Sequence, residues 1–286
     1  MKYLIVSADD FGLTKSINEG IIKALREGIV TNINFLPTGE EFKDALKLAE
    51  SIKLKTAGAH LALTETVPVS DRGSIPTLVS ERGRFFSGYE QFFPKFFLGK
   101  INSGEIYTEL KNQLEALKRT GVRITSLSSH EHVHMLPPLL KIFIKLAKEY
   151  NIPSIRYPRN DMLVPPLKLK KLYKKLILTL LDKGMAGIMK ESGIFYTDSM
   201  AGFLDSGSIS EDLLIDMLSA FLEKGTTELV THPGFLGPEV LDRYRFHLNC
   251  ETELFALTSP RIKRIIQDRN IKLITYGELL QIKKFP

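Results

Sequence analysis

The stretch that decides the fold is Tyr3–Asp10, which reads YLIVSADD. Its apolar, partly β-branched beginning is typical of a buried strand, here predicted over Tyr3–Ser7, and two adjacent carboxylates end the run. Ser16–Glu27 follows with helical periodicity, and Gly28 suits the C-terminal cap of that helix. The stretch therefore predicts the first strand–helix unit of an alternating fold.

Seven further short runs predict strands, and stretches with helical periodicity separate them. These runs are Thr31–Leu36, Ala57–Leu63, Ile124–Ser129, Ser154–Tyr157, Gly193–Tyr196, Glu228–Thr231 and Lys272–Thr275. Eight strands alternating with helices predict an α/β fold: a parallel (β/α) barrel, TIM-like and regular or irregular in detail. An open doubly wound sheet stays the alternative. The 286 residues fit one barrel of about 250 residues with insertions, so we expect a single domain over residues 1–286.

Two segments, residues 64–103 and 158–196, are too long for plain connections and are predicted insertions. The first crowds seven aromatic residues into 13 positions: Phe85, Phe86, Tyr89, Phe92, Phe93, Phe96 and Phe97. They indicate either the core of the insertion or an apolar wall beside a site. The second contains a predicted helix, Lys168–Leu181, with five lysines within residues 168–175. That charge run indicates a solvated helix face or a contact with an anionic membrane surface.

The composition bounds the class of protein. The hydrophobic fraction of 43% and charged fraction of 25% are ordinary for a globular domain. The single cysteine, Cys250, excludes an intramolecular disulfide and favours a reducing compartment, so we expect a cytoplasmic location. We expect neither a signal peptide nor a transmembrane span, because no run approaches about 20 apolar residues. The net charge of +6 comes without a recognition motif, so no nucleic-acid partner is expected, and a homo-oligomer is left open.

Side chains that can do chemistry stand at the ends of the predicted strands. Asp9 and Asp10 end the first strand, His60 lies on the third, His130 ends the fourth and His232 ends the seventh. In a parallel barrel, the carboxyl ends of all strands open on one face, where active sites lie. The predicted fold therefore brings these five residues to one site.

The acidic pair and two of the histidines predict a divalent-metal site. Adjacent carboxylates repel, so Asp9 and Asp10 need a cation or strong donors, although a turn with helix-capping acids also explains them. Neutral imidazole is a common ligand of zinc and similar ions. With one carboxylate, His60 and His130 complete a set that leaves coordination positions open for water and substrate. The other carboxylate is then free as a base.

The remaining histidines carry weaker predictions. The run SHEHVH at residues 129–134 alternates histidines after a strand, and at least one of them is expected to bind the ion. His132 and His134 are predicted to buttress the site rather than to bind the same ion with His60. His232 precedes a Pro–Gly turn and is predicted to donate a proton to a leaving group, with a packing or capping role as the alternative. No role is predicted for His247.

The chain resembles the YdjC-like carbohydrate deacetylases, which include chitooligosaccharide deacetylases and the hopanoid-biosynthesis-associated deacetylases. The resemblance runs along nearly the whole chain. Four motifs carry it: SADDFGLT at 7–14, GAHL at 58–61, SHEHVH at 129–134 and THPG at 231–234. It implies a barrel-like α/β fold and a metal-dependent amide hydrolase that removes an N-acetyl group from an amino sugar.

By position in these motifs, the resemblance also implies roles. Asp10, His60 and His130 look like the family's metal ligands, Asp9 like its general base and His232 like its acid. Magnesium is often described for the family, whereas imidazole ligands favour zinc, so the implied cofactor is Mg²⁺ or Zn²⁺. The chain departs from many relatives in one respect: Ser128 stands where they carry an acid two residues before the first histidine of the third motif.

Two segments resemble one branch of the family more than the other. Ile155–Arg159 (IRYPR) and Ser206–Ser210 (SGSIS) are more similar to the hopanoid-associated branch than to the chitooligosaccharide branch. That similarity implies a glycolipid carrying an N-acetylglucosaminyl group, a substrate-binding role for Arg156 and a peripheral contact with a membrane.

Two other functions fit part of the pattern. One is another metal-dependent barrel hydrolase, an amidohydrolase or a phosphoesterase. Those usually begin with His-x-His on the first strand, where this chain has Asp9 and Asp10. The other is a non-catalytic sugar- or lipid-binding protein on the same fold, which would bind its ligand without releasing acetate.

Overall fold

The computed structural model describes residues 1–221 and 224–284. Within these residues, eight β-strands are interleaved with eleven α-helices. The strands are β1 (Lys2–Phe11), β2 (Asn32–Phe35), β3 (Thr56–Leu61), β4 (Arg123–Ser129), β5 (Ser154–Ile155), β6 (Ser199–Ala201), β7 (Gly225–Thr231) and β8 (Ile271–Leu273). The helices are α1 (Lys15–Glu27), α2 (Phe42–Ser51), α3 (Tyr89–Phe97), α4 (Ser103–Lys118), α5 (Pro137–Glu149), α6 (Leu169–Ser192), α7 (Glu211–Ala220), α8 (Pro238–Arg243), α9 (Cys250–Thr258), α10 (Pro260–Asp268) and α11 (Tyr276–Lys284).

The strands form one parallel sheet in the order β5-β4-β3-β2-β1-β7-β6, and β8 pairs with β1. The sheet is curled into a half-barrel surrounded by helices, which confirms the predicted α/β, TIM-like fold. In this order β1 lies between the early and the late strands, as in a barrel, whereas a doubly wound sheet reverses its strand order at a switch point. The carboxyl ends of the strands therefore share one face.

Strand β1 holds the centre of the sheet together. Along one edge, Lys2–Ala8 pairs with β7 over its whole length. Along the other edge, Lys2–Leu4 pairs with β8 and Ser7–Phe11 pairs with β2. Because β1 is covered on both edges and both faces, its residues from Leu4 to Phe11 are buried, which explains why its first half carries the apolar run Leu4–Val6.

The predicted sixth strand is wrong in position. The sequence indicates Gly193–Tyr196, but β6 comes later, at Ser199–Ala201, where it pairs with β7. The earlier segment contributes a single bridge, between Phe195 and Ser154. Helix α6 continues to Ser192, and Gly193 ends it in the left-handed conformation, so the chain needs several residues to reach the sheet.

Two predicted helices also differ from the structure. The sequence predicts one helix over Glu253–Arg269, but α9 ends at Thr258, and Pro260 opens α10, whose first amides are capped by Ser259. Proline fits the first turn of a helix but not its interior, so the break follows from Pro260. The helix predicted over Lys168–Leu181 is α6, which is longer and extends to Ser192.

Both predicted insertions lie beside the same end of the barrel. Residues 64–103 include α3, from which Phe92 is buried in the main core. Residues 158–196 include α6 and join β5 to β6, the two edge strands of the sheet. The main core itself extends from Leu4 to Ile271 in sequence.

No helix among the described residues combines the length and the apolar character that crossing a membrane requires. The single cysteine, Cys250, is buried at the start of α9. The cytoplasmic location and the oligomeric state stay predictions.

Candidate metal centre and cavity

Three of the predicted residues meet at the carboxyl end of the barrel. Asp10 lies near the end of β1, His60 on β3 and His130 directly after β4, and all three are buried. One donor atom from each lies within 4.8 Å of the others. Two imidazoles and a carboxylate suit zinc and related ions, and they leave coordination positions for water and substrate. The set therefore fits a divalent cation.

The backbone at these positions is unusual. Asp10 has a φ of 66°, and Glu131 and His132, which follow His130, have φ values of 52° and 54°. Residues other than glycine seldom adopt this left-handed region, and those that do concentrate at functional sites. The turn after β4 thus directs His130 toward Asp10.

His60 is held in one tautomer. Its Nδ1 lies 2.8 Å from Ser128 Oγ, and that hydroxyl points its own proton toward the carbonyl of Ala59 at 3.4 Å. The other neighbour of Nδ1 is Asp9 Oδ2, an acceptor at 3.7 Å. Nδ1 therefore carries the proton, and the unprotonated Nε2 faces Asp10 Oδ1 at 3.5 Å. Ser128 thus accepts a hydrogen bond from the histidine.

His130 and Asp10 have two further partners that the sequence analysis missed. His130 Nδ1 lies 2.9 Å from Asp10 Oδ1, and its Nε2 lies 2.8 Å from Glu65 Oε2. His247 Nε2 lies 2.9 Å from the second oxygen of Asp10. Burial alone would lower the pKa of His130, but the two carboxylates raise it well above its usual value.

Asp9 is enclosed beneath this cluster. It is fully buried, and both of its oxygens accept hydrogen bonds from Arg156, while Oδ1 also accepts one from Asn34 at 2.6 Å. Burial alone would raise the pKa of Asp9, but the guanidinium of Arg156 holds it well below its usual value. Asp9 is thus a buried, ionised carboxylate next to Asp10.

Arg156, for which the resemblance implies a substrate-binding role, lies beneath the site. Its side chain is only 1% exposed and is not among the residues that line the cavity. Its guanidinium also donates to Glu228 Oε1 at 2.9 and 3.0 Å, and Tyr276 donates to Glu228 Oε2 at 2.6 Å. Glu228 lies on β7, and β5, which precedes Arg156, is an edge strand. Arg156 therefore connects residues across the interior of the half-barrel and holds Asp9.

His132 and His134 are buried beside the cluster. His134 Nδ1 lies 2.5 Å from Ser129 Oγ, and its Nε2 lies 2.9 Å from the carbonyl oxygen of Arg156. His132 lines the cavity, and its ring centroid lies 4.7 Å from that of Phe203. Burial lowers the pKa of both imidazoles, that of His134 to about 3. Both rings are therefore neutral and lie outside the three-residue set.

His232 follows β7 and lines the same cavity. Its backbone N–H donates to Glu253 Oε2 at 2.6 Å, and its ring packs edge-on against Phe246. Its Nδ1 is buried and has no hydrogen-bond partner among the described residues. Burial lowers the pKa of the imidazole to about 4, so the resting side chain is neutral rather than protonated.

A cavity of about 580 Å³ opens over Asp10, His60, His130 and His232. Its wall is largely apolar, and the two insertions supply much of it. These wall residues include Tyr89, Phe93, Ile177, Leu178, Leu181, Phe203 and Phe246. The aromatic run of the first insertion is therefore divided: Phe85 and Phe92 are buried in the core, whereas Tyr89 and Phe93 line the cavity.

Comparisons with known proteins agree with the family resemblance of the sequence, and the matches extend along nearly the whole chain. The family model described as YdjC-like protein matches residues 3–268. A carbohydrate deacetylase of Thermoanaerobacter pseudethanolicus is 32% identical over 279 residues, covering 98% of this chain and 100% of the relative. A carbohydrate deacetylase of Brevibacillus brevis is also 32% identical, covering 96% and 99%.

A solved structure from Enterococcus faecalis, described as that of a cellobiose-phosphate cleavage protein, superposes with a TM-score of 0.76. Its identity to this chain is 28%, and the match covers 97% of this chain and 98% of the other. The family match spans all five strand-end residues, from Asp9 to His232. On these findings, the chain belongs to the YdjC-like protein family.

Proposed function

We propose that this protein is a metal-dependent carbohydrate deacetylase, which hydrolyses the N-acetyl group of an amino sugar. The observation that carries the proposal is the buried Asp10–His60–His130 cluster beside a cavity, in a chain whose relatives are named carbohydrate deacetylases. A cation held by these three residues would polarise the acetyl carbonyl and lower the pKa of a nearby water. The donor set favours Zn²⁺, and Mg²⁺ is the second candidate.

In the proposed mechanism, Asp9 accepts a proton from the attacking water. Its ionised state, maintained by Arg156, supports this role, and its low pKa makes it a weak base that depends on an acidified water. The amine leaves with a proton, and His232 delivers it. Since His232 is neutral at rest, it must first receive a proton, and in this proposal that is the proton which Asp9 takes from the water; the sequence-based expectation is a histidine that is protonated beforehand.

The proposed substrate class is an N-acetylglucosamine-containing carbohydrate or glycolipid, including a hopanoid-linked glucosaminide. The cavity supports a substrate with an apolar part, because aromatic and aliphatic side chains such as Phe93, Ile177 and Phe203 line it close to the polar cluster. Phe246 and Tyr89 extend this apolar lining around the polar centre.

Acetate release tests the function. Metal-loaded protein should release acetate from N-acetylglucosamine oligomers or from a lipid-linked N-acetylglucosaminide, whereas a phosphoesterase would release phosphate from p-nitrophenyl phosphate. Chelation should abolish turnover and re-addition of Zn²⁺ or Mg²⁺ should restore it. Binding of either acetylated substrate without acetate release would instead identify a non-catalytic binding protein.

A pair of variants separates binding of the ion from chemistry. His130→Ala should lose both the ion and turnover, because it removes one of three ligands. Asp9→Asn should keep the ion and lose about 10²-fold or more in kcat, because it removes the proposed base. Metal content per chain and kcat check the two effects, and full activity of reloaded His130→Ala would contradict the ligand assignment.

A further inference from the structure

Helix α6 presents two apolar faces on opposite sides. Its buried face packs on the barrel through Leu178, Met185 and Met189. Its solvent face carries a second set, with exposed fractions from 39% to 84%: Leu169, Leu172, Tyr173, Leu176, Ile177 and Leu180. Members of this set recur every three or four residues, so they form one continuous stripe along the helix. We call these six residues the α6 stripe.

An ordinary surface helix turns charged or polar residues toward water, so the α6 stripe needs a partner. Isolated exposed leucines are common, but six apolar residues aligned over three turns are not. The stripe also meets the cavity directly, because Ile177 belongs to the stripe and lines the cavity. Across the opening, Tyr89 is 43% exposed and Phe246 is 47% exposed.

Lysines flank the stripe. Lys168, Lys170 and Lys183 lie on or next to the same helix, and none forms an ion pair with another described residue, whereas Lys174 is half-buried and lines the cavity. By contrast, Lys171 turns inward and pairs with Asp205 at 2.8 Å. The charge run of the sequence is therefore split, and its unpaired part borders the apolar stripe. Apolar residues rimmed by unpaired cations match the surface of an anionic bilayer, which offers acyl chains beside negative headgroups.

We propose that the α6 stripe docks on the surface of an anionic lipid bilayer and places the cavity mouth against it. The helix lies in the plane of the interface, with Leu172, Leu176 and Leu180 among the acyl chains. Lys168 and Lys183 meet the headgroups. Ile177 belongs to the α6 stripe and also lines the cavity. A lipid-borne ligand therefore passes from the bilayer to the polar cluster along the apolar wall.

Vesicle flotation tests the proposal with the full chain. The wild-type protein should float with mixed phosphatidylcholine–phosphatidylglycerol vesicles, and more weakly with phosphatidylcholine alone. The double variant Leu176→Ser/Leu180→Ser should lose at least about tenfold in vesicle affinity, since it removes two of the inserted side chains. The control is Phe255→Ser on α9, because Phe255 is as exposed, at 65%, as Leu176 at 57% and Leu180 at 60%.

A second variant tests the charge contribution. Lys168→Ala/Lys183→Ala should reduce affinity for the anionic vesicles by about tenfold or more and leave binding to neutral vesicles nearly unchanged. Thermal melts check that every variant folds, which is expected because the substituted residues are exposed or lie at the edge of the helix. Vesicle binding requires no acetyl hydrolysis, so failure of the docking surface is distinguishable from failure of the proposed activity.

Three results would overturn the proposal. The first is wild-type protein that stays unbound at low salt with anionic vesicles. The second is unchanged binding by Leu176→Ser/Leu180→Ser. The third is a wild-type dimer in sedimentation that this variant converts to a monomer without any vesicle binding, which would assign the stripe to a second copy of the chain.

Discussion

Arg156 is the residue on which the arrangement of charge beneath the site depends. Its guanidinium lies between the carboxylates of Asp9 and Glu228, and all three side chains are buried. Tyr276 donates a hydrogen bond to the remaining oxygen of Glu228, and Asn34 donates a further one to Asp9 Oδ1. A buried cation with two anions is tolerable only when it is paired and bonded in this way. The cluster therefore fixes the ionised state of Asp9.

We expect Arg156→Met to destabilise the fold by about 3–5 kcal/mol, because it leaves two buried carboxylates without their cation. Arg156→Lys should restore part of the stability but not the paired hydrogen bonds to Asp9, since an ammonium lacks the planar fork. Urea unfolding measures both effects. Arg243→Met is the control: Arg243 pairs with Glu40 at the surface, so a change within about 0.5 kcal/mol is expected there. An equally small change at Arg156 would show that the cluster of Asp9, Arg156 and Glu228 does not stabilise the fold.

Glu253 makes stability depend on pH. Burial raises its pKa from 4.5 to about 7, although it accepts the backbone N–H of His232. Between these values the folded state binds more protons than the unfolded state, so the free energy of unfolding falls as pH rises. Glu253→Gln should remove up to about 3 kcal/mol of this fall between pH 5 and pH 8. Urea unfolding at both pH values measures it.

Two comparisons sharpen that measurement. Burial also raises the pKa of Asp161 to about 7, so some fall with pH should remain in Glu253→Gln. Exposed Glu251 lies on the same helix, and Glu251→Gln should retain the full dependence of the wild type. An identical pH profile for Glu253→Gln and wild type would contradict the raised pKa of Glu253.

At the scale of single residues, the sequence predicted those site residues that stand at strand ends. Asp10, His60 and His130 end or follow strands, and the parallel sheet brings them together. Glu65 and His247 gave no such signal, because Glu65 lies in a long connection and His247 in a short 3₁₀-helix at Arg245–Asn249. Their contacts with His130 and Asp10 depend on how loops fold back over the barrel, which periodicity does not encode.

At the scale of elements, α1 and the turn after β7 approach so closely that only glycine fits. A Cβ added at Gly20 would lie 2.3 Å from the Cα of Gly234. The amide of Phe235 donates to the carbonyl of Ser16 at 3.1 Å, so the turn rests on the start of α1. His232 stands two residues before Gly234, and the contact between α1 and this turn therefore sets the position of His232.

We expect Gly20→Ala to push the turn away from α1, at a cost of about 1–3 kcal/mol from overpacking. Displacement of His232 should lower kcat and should change KM less. The cation should stay bound, because Asp10, His60 and His130 belong to other strands. The matched control is Gly187→Ala on α6, where nothing lies within 4 Å of the added Cβ, and a gain of about 0.5–1 kcal/mol is expected. Melting curves and steady-state kinetics measure both variants. An unchanged kcat in Gly20→Ala would show that the position of the turn does not affect catalysis.

Elements were predictable where a local pattern determines them. Strand β1 contains the apolar run Leu4–Val6 because both of its edges and faces are covered, and the sequence shows that run directly. Strand β6 has only three residues, and the end of α6 fixes its position, so no pattern distinguishes it from the bridge at Phe195. In α6, leucines of the buried face and of the exposed stripe lie in the same stretch of sequence. The sequence analysis considered the lysines of this stretch, and the lysines do not reveal the stripe.

For the whole molecule, the cation should be a stabilising ligand. Its three ligands come from β1, β3 and the turn after β4, so binding joins elements that separate on unfolding. At about 100 times its dissociation constant, Zn²⁺ or Mg²⁺ should add about 2.7 kcal/mol to the free energy of unfolding. For a chain of this size we expect a rise of several degrees in Tm.

Calorimetry with and without a chelator measures that rise. Asp9→Asn should show the same increase on adding the cation as the wild type, because Asp9 is not among the three ligands. His130→Ala should show little increase. A rise of equal size in His130→Ala would place the stabilising ion elsewhere on the molecule.

The pairing of β1 has a consequence for how the chain is made. A ribosome releases β1 long before its partners β7 and β8, which follow it by more than 200 residues along the chain. Until then, the apolar run from Leu4 to Ala8 has no partner along one whole edge, and the acidic pair beyond it has no site to join. Contacts of such long range are slow to form, and an unpaired strand of this kind aggregates readily. Newly made chains should therefore depend on chaperones that shield this strand until β7 and β8 have been made.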